Sequence, residues 1–179
     1  MAHRLFLISA LFFAHINIYS QDNSPNTGFG LGFNLSQYQN DFGLGINLTS
    51  PYFANDHIAV RLRGNVMWHE HIDNLETTWS PYSNFTFGMV GVGGTINNSI
   101  RLYGEGGVIG ILPNSNFSSS DSEFGGYGLF GFEFFFQEAH NYFIELGGVG
   151  TGARADQVIT EPIYSNGFII NVGYRYTFD

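Results

Sequence analysis

The sequence has no cysteine and no lysine, and only 12% of its 179 residues are charged. Without cysteine the fold cannot use disulfides, so packing and polar contacts must hold it together. Six arginines stand against 15 acidic residues, which excludes the basic stripe that a nucleic-acid-binding protein needs. A water-exposed surface normally carries about 25–35% charged residues. The chain is therefore short of charge for a surface that faces only water.

Long apolar runs are also missing. The run from Leu5 to Ala14 is too short to cross a bilayer as a helix. It follows His3 and Arg4, and these proportions predict a secretory signal peptide over residues 1–20 and one domain over residues 21–179. Without Arg4, five arginines remain against the 15 acidic residues, a net charge of −10. Because no apolar run is long enough for a spanning helix, a closed β-barrel is the remaining way for this chain to cross a membrane.

From Thr27 onward, large apolar residues alternate with small or polar ones, as in a strand with two different faces. The alternation is weakest in the fourth segment, where Val90 and Val92 fall in the phase opposite to Phe85 and Phe87. The pattern predicts an all-β fold, an eight-stranded antiparallel transmembrane up-and-down β-barrel. The eight predicted strands are Thr27–Tyr38, Phe42–Thr49, His57–His69, Tyr82–Ile96, Ser99–Leu112, Phe124–Gln137, Tyr142–Gly152 and Phe168–Asp179.

Seven charged residues inside these segments all fall in the small, polar phase. They are Arg61, Arg63, Arg101, Glu105, Glu133, Glu145 and Arg175. An arginine that faces lipid near the bilayer midplane costs about 2–4 kcal/mol, whereas inside a barrel it can pair with glutamate. We therefore expect a charge network in the lumen. Since eight strands enclose just enough space for side chains, we also expect a filled interior and no wide pore.

The predicted connections alternate between long and short. Long ones follow the third, fifth and seventh segments, at residues 70–81, 113–123 and 154–165, and short turns fall at Asn97–Asn98 and Ala139–Asn141. The second turn needs an odd number of residues to keep Phe134 on the same face as Ile144. Long outer loops with short inner turns are typical of outer-membrane barrels. The short link at Asn40 and the longer link at residues 50–56 depart from this alternation.

Two further groups of residues are expected near the strand ends. Aromatic residues there favour the membrane interfaces, with stacking on a ligand as the alternative; they are Trp68, Trp79, Tyr82, Tyr142, Tyr164 and Tyr174. The predicted loops are acidic, through Glu70, Asp73, Glu76, Asp121, Glu123, Asp156 and Glu161. Such a rim is a hydrated surface, a site that gathers divalent cations, or a face for a basic partner.

The strand alternation, the internal arginines and glutamates and the closing sequence GYRYTF (173–178) resemble the small eight-stranded outer-membrane barrels, the group that contains the OmpA transmembrane domain and OmpX. The resemblance implies a monomer in the outer membrane of a Gram-negative bacterium. Its partners would be outer-membrane lipid or lipopolysaccharide, the barrel-insertion machinery and an unknown surface partner. The resemblance is architectural and says little about activity. We expect no cofactor, and a non-enzymatic role in envelope integrity or in surface interaction and adhesion through the loops.

The sequence WHEH (68–71) leaves functions other than the non-enzymatic role open. His69 and His71 share a face at the end of the third segment, with Glu70 between them, and form an ordinary polar rim, a metal site or a catalytic base. Two lipid A-modifying enzyme families use barrels of this size: a deacylase with a His/Ser/Glu set and a palmitoyltransferase with a His/Asp/Ser set. The absence of a His-x-Ser motif near the seventh segment counts against the deacylase. We expect a polar rim without catalytic or metal residues, and keep a lipid A-modifying acyl hydrolase or acyltransferase and a narrow small-solute channel as alternatives.

Overall fold

In the computed structural model, which describes residues 27–73, 76–159 and 161–178, eight strands form one closed barrel. Each strand pairs antiparallel with the next, and β8 closes the ring on β1. The strands are β1 (Phe29–Tyr38), β2 (Asp41–Thr49), β3 (Ile58–Asp73), β4 (Glu76–Ile96), β5 (Ile100–Leu112), β6 (Glu123–Gln137), β7 (His140–Thr151) and β8 (Gly167–Phe178). The predicted all-β, eight-stranded antiparallel fold is confirmed, while the predicted signal peptide lies outside the described residues.

Burial follows the alternation of the sequence. In β1 and β2, exposed and buried side chains alternate without interruption, because successive side chains of a strand point to opposite faces. Most of the exposed members are large apolar residues, such as Phe33 and Ile46. Val108, on the outer face of β5, is likewise 59% exposed. Val90 points inward and packs with Ala59, which explains the weak alternation of the fourth segment. The described part of the chain contains no helix that is long and apolar enough to span a membrane.

The barrel has two ends that differ in their connections. We call the end with the β1–β2, β3–β4, β5–β6 and β7–β8 links the loop end, and the opposite end the turn end. At the turn end, Asn97 and Asn98 have φ angles of 49° and 53°, so the predicted Asn-Asn turn takes the left-handed backbone that asparagine tolerates. The predicted three-residue turn at Ala139–Asn141 is wrong: residues 138–139 connect β6 to β7, and a bulge between Phe135 and Gln137 restores the phase.

The loop predicted at residues 70–81 is also wrong. β3 continues to Asp73 and β4 begins at Glu76, and the two strands stay paired from Trp68 opposite Pro81 up to Asp73 opposite Glu76. The alternation continues through this stretch, but its inward side chains are polar, and polar residues hide a strand from a hydrophobicity pattern. Glu70 and Glu76 are therefore strand residues, as is Glu123 at the start of β6. The long links at the loop end are residues 113–122 and 152–166.

Candidate functional site: the barrel interior and its loop-end cap

The lumen contains a network of buried ion pairs. Arg61 Nη1 lies 2.6 Å from Glu105 Oε2 and 3.0 Å from Glu145 Oε1, and Arg63 lies 3.3 Å and 2.9 Å from the same two carboxylates. All four side chains are buried. They come from β3, β5 and β7, so the contacts cross the lumen rather than linking neighbouring strands. Two carboxylates shared by two guanidinium groups provide the compensation that buried charges need.

A second group of charges lies nearer the turn end. Arg175 Nη1 is 2.5 Å from Glu133 Oε1, and Arg101 Nη1 is 3.1 Å from Glu133 Oε2. Arg175 Nη2 also lies 4.0 Å from Glu145, which joins the two groups. The Arg175 guanidinium sits 4.6 Å from the ring centre of Phe143. The structure thus brings all seven of the predicted lumen residues together in one buried network, and Arg175 points into the barrel between outward tyrosines.

Hydrogen bonds from uncharged side chains extend this network around the barrel wall. Glu145 also accepts hydrogen bonds from Tyr103 Oη at 2.7 Å and from Asn171 Nδ2 at 2.9 Å. Four inward asparagines of β1 to β4 bond to one another, with distances of 2.6–3.2 Å; they are Asn34, Asn47, Asn65 and Asn84. Sequence reasoning did not single out this asparagine ladder. The signal was present, because each residue has the same phase as the inward residues of its own strand.

The interior is not polar throughout. Toward the loop end, the inward side chains form an apolar layer above the ion pairs, which includes Met67, Ile109, Ile111, Leu129, Val149 and Ile169. All six are buried. The lumen is therefore filled, as predicted, by ion pairs in the part toward the turn end and by apolar side chains in the part toward the loop end.

A buried polar cluster lies above the apolar layer, at the loop end, and is centred on Asp41. Its carboxylate lies 2.7 Å from His69 Nδ1, accepts a 2.7 Å hydrogen bond from Tyr82 Oη, and accepts another at 2.7 Å from the backbone N–H of Ser165. His71 stacks on His69, with ring centres 5.9 Å apart. We call these five residues the Asp41 cluster. It combines side chains of β2, β3 and β4 with the link that precedes β8.

This placement corrects the prediction that His69 and His71 belong to an exposed polar rim. His69 and His71 are only 2% and 6% exposed, because Phe117 and Tyr164 from the two long links cover them. Glu70, between them in sequence, is exposed on the outer wall. Among the described histidine, aspartate and glutamate residues, no three lie close enough together to hold a metal ion. The sequence around His69 and His71 could not predict their burial, because the residues that cover them come from links that are distant in the sequence.

The two long links fasten to each other and form a cap. The backbone N–H of Gln157 donates to the carbonyl of Phe117 at 3.1 Å, and Ser118 Oγ donates to the carbonyl of Arg154 at 3.1 Å. Asp156 accepts hydrogen bonds from the hydroxyl and, at 2.7 Å, from the backbone N–H of Ser119. These bonds, the hydroxyl's first, hold the pKa of the Asp156 carboxyl below its ordinary value. Desolvation raises the pKa of Tyr164, which lies beneath the cap.

Three polar atoms of this region are buried without a hydrogen-bond partner within the described structure: His69 Nε2, Tyr164 Oη and Ser165 Oγ. In the neutral tautomer that directs its Nδ1–H at the Asp41 carboxylate, His69 carries its lone pair on Nε2. A carboxylate that orients a histidine in this way is the arrangement of a general base. The pairing with Asp41 was not predicted from the sequence, because Asp41 lies 28 positions before His69.

Four of the six predicted interface aromatics lie on the outer wall of the barrel, in one belt near each end. Trp68 stacks on Phe42 with ring centres 5.2 Å apart, and Trp79 meets Phe42 edge-on at 5.9 Å, all on the outer wall near the loop end. Tyr142 and Tyr174 contact each other at 5.4 Å on the outer wall near the turn end.

Tyr82 and Tyr164 do not belong to either belt. They are 4% and 1% exposed and point into the cap region. Tyr82 has the inward phase of β4, the same as Val90, and Tyr164 lies in the β7–β8 link. Their hydroxyl groups are therefore part of the interior and not of a membrane interface.

Comparison with known proteins supports the fold alone. No protein-family model and no curated protein matches the chain. Among solved structures, the chain is similar to the crystal structure of the N-terminal β-barrel domain of Pseudomonas aeruginosa OprF, with a TM-score of 0.56 and 14% sequence identity. The match covers 86% of this chain and 98% of that domain. The fold is thus that of a small eight-stranded β-barrel.

Proposed function

We propose that the chain is an integral outer-membrane protein whose barrel spans the lipid bilayer. The observation that carries the proposal is the sidedness of the wall. Every strand presents exposed large apolar residues outward, while the charged residues of the predicted network are buried in the lumen. Exposed apolar surface of this extent marks contact with a membrane or another protein. Aromatic residues near both ends of the barrel match the two interfaces of a bilayer.

The role that best fits this architecture is non-enzymatic, in envelope integrity or in surface interaction through the loop end. The capped loop end exposes Glu70, Glu76, Asp121, Asp156 and Glu161. This acidic surface suits a basic partner or divalent cations that bridge anionic lipopolysaccharide. The barrel acts as a monomer, with outer-membrane lipid around it and the barrel-insertion machinery as its partner during biogenesis. The resemblance of the sequence to the OmpA and OmpX group supports the Gram-negative location.

Replacing Val108 with arginine tests the lipid-facing wall. Val108 lies on the outer face of β5 and is 59% exposed. In lipid vesicles, Val108→Arg should lower the free energy of unfolding by about 2–4 kcal/mol, because an arginine there faces hydrocarbon. Ile159, in the β7–β8 link, is 65% exposed, and Ile159→Arg should change the free energy of unfolding by less than about 0.5 kcal/mol. Urea unfolding followed by tryptophan fluorescence measures both, and equal midpoints would contradict a membrane-facing wall.

An inserted epitope tests which end faces outward. Asp121 and Ser122 are exposed at the tip of the β5–β6 link, whereas Ser119 is fastened to Asp156. An epitope after Asp121 should be tolerated and should bind antibody on intact cells. The same epitope between Asn97 and Asn98, at the turn end, should bind only after the outer membrane is opened. Labelling of the turn-end epitope on intact cells would reverse the proposed orientation.

One observation favours the lipid A-modifying alternative. His69, oriented by Asp41, has a buried Nε2 without a partner in the described structure, as a general base would. Mass spectrometry of lipid A from cells with the wild-type protein or with His69→Gln decides between the two functions. An acyl pattern that depends on His69 would establish the enzyme, and identical patterns would leave the non-enzymatic role. The narrow-channel alternative gains no support from a lumen filled by ion pairs and apolar side chains.

A further inference from the structure

The hairpin of β3 and β4 extends beyond both neighbouring strands at the loop end. β2 pairs with β3 only as far as Phe42 opposite Trp68, whereas β3 continues up to Asp73. On the other side, β5 pairs with β4 only as far as Leu112 opposite Ser83. The upper part of the hairpin therefore has a free edge on each side, one on β3 and one on β4.

The strand register identifies the backbone groups along the free edge of β3. Successive residues of a strand direct their N–H and C=O groups to opposite neighbours. The Val60 carbonyl accepts a 2.8 Å hydrogen bond from the Ser50 N–H on the β2 side, and no bulge interrupts β3, so its even-numbered residues face that side. Above Trp68 these residues are Glu70 and Ile72. In the described structure, no backbone hydrogen bond reaches either residue from the β2 side.

The two free edges differ in their protection against pairing. Proline and contacts from a neighbouring loop are common ways to block an edge strand. The β4 edge has both, because Pro81 lacks an N–H and its carbonyl accepts a 3.2 Å hydrogen bond from Asn114 Nδ2. The described part of the β3 edge contains no proline, and its outward side chains, Glu70 and Ile72, are exposed. The β3 edge is therefore the one that is available for pairing.

We infer that the β3 edge binds an extended segment of a different, basic protein by strand addition. The segment pairs its backbone with Glu70 and Ile72, and it places a lysine or arginine opposite Glu70 and an apolar residue opposite Ile72. Glu70 is paired with Trp79 of the loop-end aromatic belt, so the edge emerges where the proposed bilayer ends.

Charge complementarity determines this choice of partner. The exposed loop end is acidic, and a cation opposite Glu70 makes a favourable cross-strand pair, whereas an acidic residue there is repelled. A second copy of this chain does not supply the cation, because the chain has no lysine and its strand arginines are buried in the lumen. The inference rests on the proposed surface role of the loop end and names the class of partner for it.

A synthetic strand tests the pairing directly. The probe is a fluorescein-labelled octapeptide with lysine and valine two positions apart on one face and threonine elsewhere. Titrated into folded protein in detergent and followed by fluorescence anisotropy, it should bind saturably at one peptide per protein. N-methylation along both peptide edges removes the donors that pair with β3 and should weaken binding about tenfold or more. An N-methylated peptide of undiminished affinity would overturn strand addition.

Two proline variants locate the edge that binds. Ile72 and Thr77 are paired opposite each other, at positions whose N–H groups point to opposite sides of the hairpin. Ile72→Pro removes a donor from the β3 edge and should weaken binding about fivefold, the effect of one lost hydrogen bond. Thr77→Pro is the matched control on the β4 edge and should bind like wild type. Equal affinities of the two variants would refute the β3 site, and if Ile72→Pro fails to fold, the methylated peptide still decides with wild-type protein.

Glu70→Gln tests the charge of the partner. It should weaken binding of the lysine peptide about threefold and leave unchanged the binding of a peptide with glutamine in place of lysine. An equal loss for both peptides would contradict a basic partner. Intact cells separate this site from the proposed orientation. A peptide that binds in detergent, but on cells only after the outer membrane is opened, retains the site and contradicts the outward-facing loop end, whereas a peptide that does not bind in detergent overturns the site alone.

Discussion

Replacing Glu145 with glutamine should lower the free energy of unfolding by about 3–5 kcal/mol, because it leaves the buried guanidinium groups of Arg61 and Arg63 with one shared carboxylate, Glu105, instead of two. Glu145 lies within 3.0 Å of both Arg61 and Arg63 and also accepts hydrogen bonds from Tyr103 and Asn171. It is the carboxylate that connects the two groups of lumen charges. Glutamine keeps the size of the side chain, so the loss would report the charge rather than a cavity.

The matched control is Glu70→Gln, a change of the same type on the outer wall. Glu70 is exposed near the end of β3, where the free energy of unfolding should change by less than about 0.5 kcal/mol. Urea unfolding in vesicles or detergent, followed by fluorescence and circular dichroism, measures both variants. If the two midpoints shift equally, the ion pairs do not stabilise the folded barrel, and the interior would be held by its apolar layer and hydrogen bonds instead.

The sequence was sufficient to predict the fold and the direction of the charged side chains. Both follow from the two-residue period of a strand, which is local, so Arg61 and Arg175 could be placed on the inner face without any knowledge of their partners. The partners themselves could not be predicted. Arg61 and Glu145 are 84 positions apart and meet across the lumen, and that contact depends on the tilt and stagger of the closed sheet.

Most of the errors lie at the loop end. A polar inner face made the upper part of β3 and β4 look like a loop, although the two-residue period continued through His69 and His71. The burial of both histidines depends on Phe117 and Tyr164, which belong to links that fold back over the mouth. Link conformation is set by contacts such as Ser119 with Asp156, which join residues 37 positions apart. No local sequence pattern predicts such contacts. The inward direction of Tyr82, in contrast, could have been predicted from its phase in the fourth segment.

Asp41 holds the cap to the barrel, and Asp41→Ala should therefore both destabilise the fold and loosen the cap. The substitution leaves three buried donors without an acceptor: His69 Nδ1, Tyr82 Oη and the backbone N–H of Ser165. Since each buried unsatisfied group costs about 1–3 kcal/mol, the free energy of unfolding should fall by about 3 kcal/mol or more. Asp121→Ala, at the exposed tip of the β5–β6 link, should leave it nearly unchanged.

Trypsin distinguishes the loosening of the cap from a loss of global stability. Arg154 lies in the β7–β8 link that Asp41 fastens through Ser165, and it is exposed, so cleavage there depends on local opening of the link. Under conditions where the barrel stays folded, Asp41→Ala should be cleaved after Arg154 faster than wild type, whereas Asp121→Ala should match wild type. An unchanged cleavage rate in Asp41→Ala would mean that the Ser118 and Asp156 contacts hold the cap closed without the Asp41 cluster, and that the cluster only stabilises the barrel mouth.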